Sequence, residues 1–318
     1  MNKKTIKVVA HRVEGIPRYK LEASRQLHRA ENPDSDFGNN RHDRVKAIKG
    51  FQLYSSDGMV VHNCSSPLKS EFYRISIIIR GAIDVQIGLE QYRPGPRSVF
   101  FTFPNQIFSK SNMSHDAFGY YILFDQDFLS DLIPPARMAD EFPFFSFSGV
   151  PLFHTSEEDI ARTEEIVLKI DDELHFEKPE REKAVRLHLY LLLLEAKRSY
   201  ERQHLGEYRG HSDSHVLVSK YRKLVNEHFL TKRRVADYAS MLNVTPNHLN
   251  RTIKRMTDET ASSMITEMLV QEAKALLKCT DLSASEIAYR LNFSEPAAFN
   301  RFFRKSTGTT PRIFRRQE

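Results

Sequence analysis

The chain has 318 residues, 40% hydrophobic and 28% charged, the balance of a soluble globular protein with room for about two domains of roughly 150 residues each. It has no stretch near the ~18 apolar residues of a membrane span, and no apolar run after Lys3 and Lys4 to suggest a secretory signal. The net charge of +6 is uneven: residues 216–318 carry 18 Lys and Arg against 10 Asp and Glu, whereas residues 1–215 carry 29 against 31, so the basic block suits a polyanionic partner.

Residues 1–50 are basic and punctuated by Asn32-Pro33-Asp34 and Gly38-Asn39-Asn40. They read as an extension of loops with one short helix at most, and their role is not legible. From Phe51 the pattern turns to strands. Ile75, Ile77 and Ile79 alternate with Ser76 and Ile78, and Ile83, Val85, Ile87 and Leu89 alternate with Asp84, Gln86 and Gly88, the period of half-buried strands. Arg93-Pro94-Gly95-Pro96 is a turn, and the runs 99–103 and 120–124 follow it. Strands at this spacing predict a sandwich or small barrel over residues 51–150, a shape that can hold one small ligand. Phe100, Phe103, Tyr120, Ile122 and Phe124 would line such a pocket and suit an apolar or aromatic effector, although the same residues equally suit plain core.

Residues 151–205 read as helical. Ser156 with Glu157, Glu158 and Asp159 is a favourable helix start, since acids sit at the positive end of the helix dipole. Pro179 breaks the run. Ala184, Leu187, Leu191 and Leu194 then form an apolar strip at helical spacing. Two uses compete for it: packing on the chain's own barrel, or pairing with a twin across a dimer axis. The second makes Leu187, Leu191 and Leu194 a candidate homodimer interface. Residues 206–215 read as a linker.

The last block, 216–318, contains a repeat. Ala239, Leu242, Asn243, Val244 and Thr245 return 49 positions later as Ala288, Leu291, Asn292, Phe293 and Ser294. Leu249-Asn250-Arg251 returns 50 positions later as Phe299-Asn300-Arg301, and 257–260 returns as 307–310 at the same lag. One small unit is therefore built twice, each copy reading as helix, tight turn, helix, the layout of a DNA reader. Asn243 and Asn292 stand where the first helix must end left-handed, which asparagine tolerates. In the first recognition helix, Thr245 to about Met256, Thr245 caps and Pro246 takes the first helical position. Leu249, Ile253 and Met256 share the inner face and Asn247, Asn250, Arg251 and Lys254 the outer one. In the second, Ser294 caps, Phe299, Phe302 and Phe303 turn inward, and Ala297, Asn300, Arg301 and Arg304 match the first polar set. Arginine can bond a guanine edge bidentately, asparagine can do so for adenine, and Ala297 can touch a thymine methyl. Lys254 and Lys305 are better placed for phosphates. A long helix over Ser262–Lys278 would fix the two readers relative to each other, and to enter successive major grooves they must be about 34 Å apart. If straight DNA cannot meet both, bending costs of order 1–6 kcal/mol.

Residues 216–318 resemble the C-terminal domain of the AraC/XylS family of bacterial transcription regulators. The resemblance rests on Ile287-Ala288 through Leu291-Asn292-Phe293, the run Phe299-Asn300-Arg301-Phe302-Phe303-Arg304, then Thr307-Gly308, Pro311 and Phe314-Arg315. It implies double-stranded DNA as partner, contact with RNA polymerase, and base-reading roles for Asn247, Asn250, Arg251, Ala297, Asn300 and Arg301. A glycine and a proline usual in the family's first unit are replaced by Asp258 and Ala261, so that joint is expected to turn less sharply. The strand-rich region is similar to the family's cupin-like sensory barrel. The fold class expected is α+β multidomain: a cupin-like barrel or sandwich with a helical segment, then an all-α double helix-turn-helix domain.

The expected function is a ligand-responsive, sequence-specific transcription regulator, cytoplasmic, dimeric and without cofactor. A metal-dependent enzyme of the cupin type with an attached DNA-binding domain is the alternative. It would need a His-x-His pair and a third histidine, and the strand region holds only His62 and His115, so neither a metal site nor an enzyme is expected. A DNA-repair methyl acceptor would need a reactive cysteine in a zinc cluster. The chain's two cysteines, Cys64 and Cys279, stand far apart and fit a reducing cytoplasm.

Overall fold

A computed structural model describes residues 18–22, 37–40, 47–57, 68–147, 149–176, 178–206 and 213–316. Most of the N-terminal extension lies outside them, as do His62 and Cys64. The described part of the extension contributes the short strand β1 (Arg18–Tyr19) and one 3-10 turn over Gly38–Asn40. The remaining strands are β2 (Phe51–Ser55), β3 (Leu68–Ser70), β4 (Phe72–Arg80), β5 (Asp84–Ile87), β6 (Glu90–Tyr92), β7 (Ser98–Thr102), β8 (Ile107–Ser111), β9 (Phe118–Asp125) and β10 (Leu152–His154). They form two five-stranded sheets, ordered β1-β3-β8-β5-β6 and β10-β7-β4-β9-β2. Among the described residues no strand pairing joins the sheets, so the expected barrel is an open two-sheet arrangement. The sheet also runs past the expected boundary at residue 150, because β10 pairs with β7.

Alternation along the strands sorts the second sheet into two faces. Tyr73, Ile75 and Ile77 of β4 join the large core built with the helices, while Ile78 packs with Phe100 and Phe108 toward the first sheet. Tyr120, Ile122 and Phe124 of β9 lie on the helix side. That core is closed by a short helix α1 (Met138–Glu141), by α2 (Glu157–His175) and by α3 (Arg181–Arg202). Ser156 caps α2 as expected, its hydroxyl accepting from the Asp159 N–H at 3.0 Å. Val185, Leu189, Leu192 and Leu193 of α3 are buried in the core, whereas Leu187 is 50% and Leu191 40% exposed. Leu194 is half-buried against the same core.

The C-terminal block consists of α4 (Asp213–His228), α5 (Val235–Met241), α6 (Pro246–Thr257), α7 (Ala261–Cys279), α8 (Ala284–Arg290), α9 (Pro296–Thr307) and α10 (Pro311–Arg316). The expected linker is thus shorter than residues 206–215, since α4 already starts at Asp213. The Tyr221 hydroxyl donates to the Ala261 carbonyl at 2.5 Å and that of Tyr238 to Lys232 at 2.7 Å, which pins α4 and α5 to the first unit. The block docks on the first sheet: Arg222 pairs with Glu90 at 2.8 Å, Lys69 lies 4.9 Å from the Phe229 ring centre, and Ile107 enters the core of the first unit.

Candidate nucleic-acid interface

Each recognition helix is amphipathic in the sense required. In α6, Leu249 and Ile253 are fully buried, and in α9 Phe299 and Phe303 are too, while Phe302 and Met256 are half-buried. Burying Phe299 and Phe303 contributes roughly 1.5–3 kcal/mol each, enough to fix the orientation of α9. The turns ahead of both helices are alike: Asn243 has φ 54° and Asn292 φ 59°, the left-handed ending that the repeat predicts. Upstream, Ser283 and Glu286 cap α8 reciprocally at 3.2 and 2.7 Å, and these bonds hold the Glu286 carboxyl below its ordinary range. At the matching place ahead of α5, hydrogen bonding from Arg234 lowers the Asp237 carboxyl.

The outer faces are open. Asn247, Arg251 and Lys254 of α6 and Ala297, Asn300, Arg301, Arg304 and Lys305 of α9 are all exposed. Arg255, which the pattern did not single out, is exposed on the same helix and its guanidinium reaches Ser214 at 2.7 Å.

Asn250 departs from the expected set. It is half-buried, and its Oδ1 accepts from the Ala261 N–H at 3.0 Å, so its amide is committed to the start of α7. The second unit has no such demand: Pro311 stands at the equivalent place with no N–H to satisfy, and Asn300 lies exposed. Two residues of one sequence pattern therefore do different work.

The expected cap at Ser294 is also displaced. Glu295 takes the N-cap position of α9 without a side-chain capping bond, whereas Thr245 does cap α6, accepting from the His248 N–H at 3.2 Å. Glu295 is the one residue added between the copies, and it is why the lag changes from 49 to 50. Its carboxylate instead pairs with Arg301 at 3.1 Å, which puts an acid beside the exposed polar face of α9.

The joint after α6 turns as sharply as its counterpart, against expectation. Asp258 adopts φ 58°, ψ 3° and Gly308 φ 75°, ψ −7°, and each donates its N–H to the carbonyl four residues back. Short aspartate tolerates the left-handed region at a cost that glycine avoids.

The five residues expected to form an effector pocket are divided between two cores. Phe103, Tyr120, Ile122 and Phe124 belong to the core shared with α2 and α3, and Phe100 points between the sheets. Alternation identifies residues that share a face but not what covers that face. Only Phe100 and Tyr120 border a small cavity of about 60 Å³, beside Arg74, Ser76 and Lys110. A larger cleft of about 360 Å³ opens between the first sheet and the first helix-turn-helix unit, lined among others by Leu89, Ile107, Phe147, Val225, Met256 and Met268. Among the described residues, no group of three or more His, Cys, Asp or Glu is placed to hold a metal ion, and no helix is long and apolar enough to cross a membrane.

Comparison with known proteins places the resemblance in the C-terminal block. The family described as a helix-turn-helix domain matches residues 238–317. The chain is 26% identical over 129 residues to the Msm operon regulatory protein of Streptococcus mutans, covering 41% of this chain and 46% of that protein. It is 27% identical over 141 residues to the HTH-type transcriptional regulator YijO of Escherichia coli, covering 44% and 48%. The chain thus spans less than half the length of these relatives. Among solved structures, ToxT of Vibrio cholerae aligns over 84% of this chain and 98% of its own, at 15% identity and a TM-score of 0.44. The matched helix-turn-helix family, the repeat and the paired left-handed turns fall on the same stretch, the C-terminal third of this chain.

Proposed function

We propose that the protein is a sequence-specific DNA-binding transcription regulator that lays α6 and α9 into successive major grooves of one duplex. The observation that carries this reading is the duplicated outer face. Two helices fixed by buried Leu249 and Ile253, or Phe299 and Phe303, each present an exposed arginine four residues behind a short side chain, with a basic residue one turn on. Arg251, Arg301, Asn247, Ala297 and Asn300 read bases, and Lys254, Arg304 and Lys305 hold phosphates. Asn250 supports the fold of the first unit and leaves the reading set.

The two-sheet region serves as the sensory domain, with a cupin-like ancestry. Its effector binds in the cleft of about 360 Å³, whose volume suits a small molecule and whose walls come from both the sheet and the DNA reader. The exposed Leu187 and Leu191, with Leu194, pair two copies of the chain. The regulator acts in the cytoplasm through contact with RNA polymerase and is not an enzyme.

The test is to capture genomic fragments with the purified chain, define the bound site by footprinting, and measure affinity for it after substitution. Arg251→Ala and Arg301→Ala should each weaken specific binding by about 1–3 kcal/mol and relax preference at one base position. Undiminished binding of the double variant at physiological salt would refute this placement of the reading face.

A further inference from the structure

The two readers are joined covalently by α7 and the short segment after it, but a second connection crosses between the units. Arg233 lies half-buried in the loop between α4 and α5. Its guanidinium donates through Nη2 to the Leu291 carbonyl, at the turn of the second unit, and lies 4.3 Å from the Phe293 ring centre. Asn292 reaches back the other way, its Nδ2 lying 3.4 Å from the Leu230 carbonyl. Leu230 itself borders the cores of both units. Phe293 then packs on Phe299 and Phe302 of α9, with ring centres 5.5 and 5.2 Å apart. One ring therefore separates Arg233 from the second recognition helix.

The repeat shows that this is not a part of every helix-turn-helix unit. At the lag of 49, the counterpart of Arg233 is Leu282 and that of Phe293 is Val244. A leucine can neither donate nor stack, so the contact is built once, from the first unit to the second. A planar guanidinium uses its edge as donor and its face as a stacking surface at the same time, which a lysine cannot do.

We infer that Arg233 is a positioning residue that fixes the angle and distance between α6 and α9, and thereby the separation at which the two DNA sub-sites are accepted. This rests on the reading that both helices engage one duplex. With the contact in place the readers are held at two points and accept one separation. Without it the units keep α7, Leu230 and the Asn292 contact but lose the guanidinium clamp on Leu291 and Phe293, and neighbouring separations are tolerated.

The experiment is in vitro selection from a random duplex library with the full chain, as wild type, Arg233→Leu and Arg233→Lys. Wild type should return two sub-motifs at a single separation. Both variants should return the same sub-motifs spread over neighbouring separations. Affinity at the preferred separation should fall about tenfold, the value of one hydrogen bond from a charged donor, and preference over a duplex with one base pair inserted should shrink by a similar factor. A single separation kept by both variants, with unchanged preference, overturns the inference. Arg233→Lys retains the charge and serves if Arg233→Leu does not fold. A second readout needs no DNA: spin labels at Asn247→Cys and Ala297→Cys, with Cys64 and Cys279 replaced by serine, should give a narrow distance distribution that broadens in Arg233→Lys. An unchanged distribution refutes the positioning role. Failure of the wild type to select any sequence would instead refute the DNA-reading proposal, and the label distances would still decide on Arg233.

Discussion

Asn250 and Asn300 occupy the same place in the repeat, and the difference in their surroundings predicts opposite consequences of the same substitution. Asn250→Ala removes the acceptor for the Ala261 N–H. That donor opens α7, and Ala261 is fully buried, so the lost bond and the stranded donor together cost about 1–2 kcal/mol. Ala261→Pro removes the donor itself. Proline is favoured at the first helical position, and Thr260 before it has φ −85° and ψ 154°, the extended conformation a following proline requires. In the Ala261→Pro background, Asn250→Ala should therefore cost almost nothing, a coupling of about 1–2 kcal/mol across the double-mutant cycle. Hydrogen exchange of the α6 and α7 amides measures the cycle without requiring the whole chain to unfold in one step. Ala261→Pro should also free the Asn250 amide, so that an adenine preference appears in the first sub-site where the wild type shows none. An equal cost of Asn250→Ala in both backgrounds would refute the reasoning. So would an adenine preference already present in the wild type and lost in Asn250→Ala.

Other outcomes follow from the same geometry. Glu295→Gln should raise affinity for specific DNA about two- to fivefold by releasing Arg301 and removing an acid from the reading face; titration by fluorescence anisotropy measures it, and unchanged or weaker binding counts against the pairing as a competitor. Asp258→Gly should stabilise the first unit by about 0.5–1 kcal/mol, because glycine relieves the left-handed backbone and takes a negative charge from a helix C-terminus, less its greater freedom when unfolded. Amide exchange in α6 should slow accordingly, and faster exchange would contradict the strain argument. Leu187→Glu with Leu191→Glu should yield monomers by sedimentation with the DNA domain still folded; a species that stays dimeric would move the interface elsewhere.

Much of the reader was legible from residue order. A repeat with apolar positions at helical spacing, asparagines at the turns and a shared polar face describes local structure, and local structure follows from local physics. Even the displaced cap was visible in principle, since the change of lag from 49 to 50 marks Glu295 as an added residue in front of α9. The two-sheet region was legible only as strands. Tyr120, Ile122 and Phe124 share a face by period two, yet nothing in that period says whether helices or a second sheet will cover it. The packing of α2 and α3 made that face core, and the larger cleft lies elsewhere, beside α4.

Sequence by itself determined the two-unit reader, the helix faces and the strand-rich first half, because each depends on neighbours a few positions away along the chain. Tertiary structure alone decided that Asn250 serves Ala261 while Asn300 stays exposed, that Glu295 engages Arg301, and that Arg233 spans 58 positions to reach Leu291. Those choices depend on which donors and acceptors packing brings within about 3 Å of one another, and no short-range pattern records that.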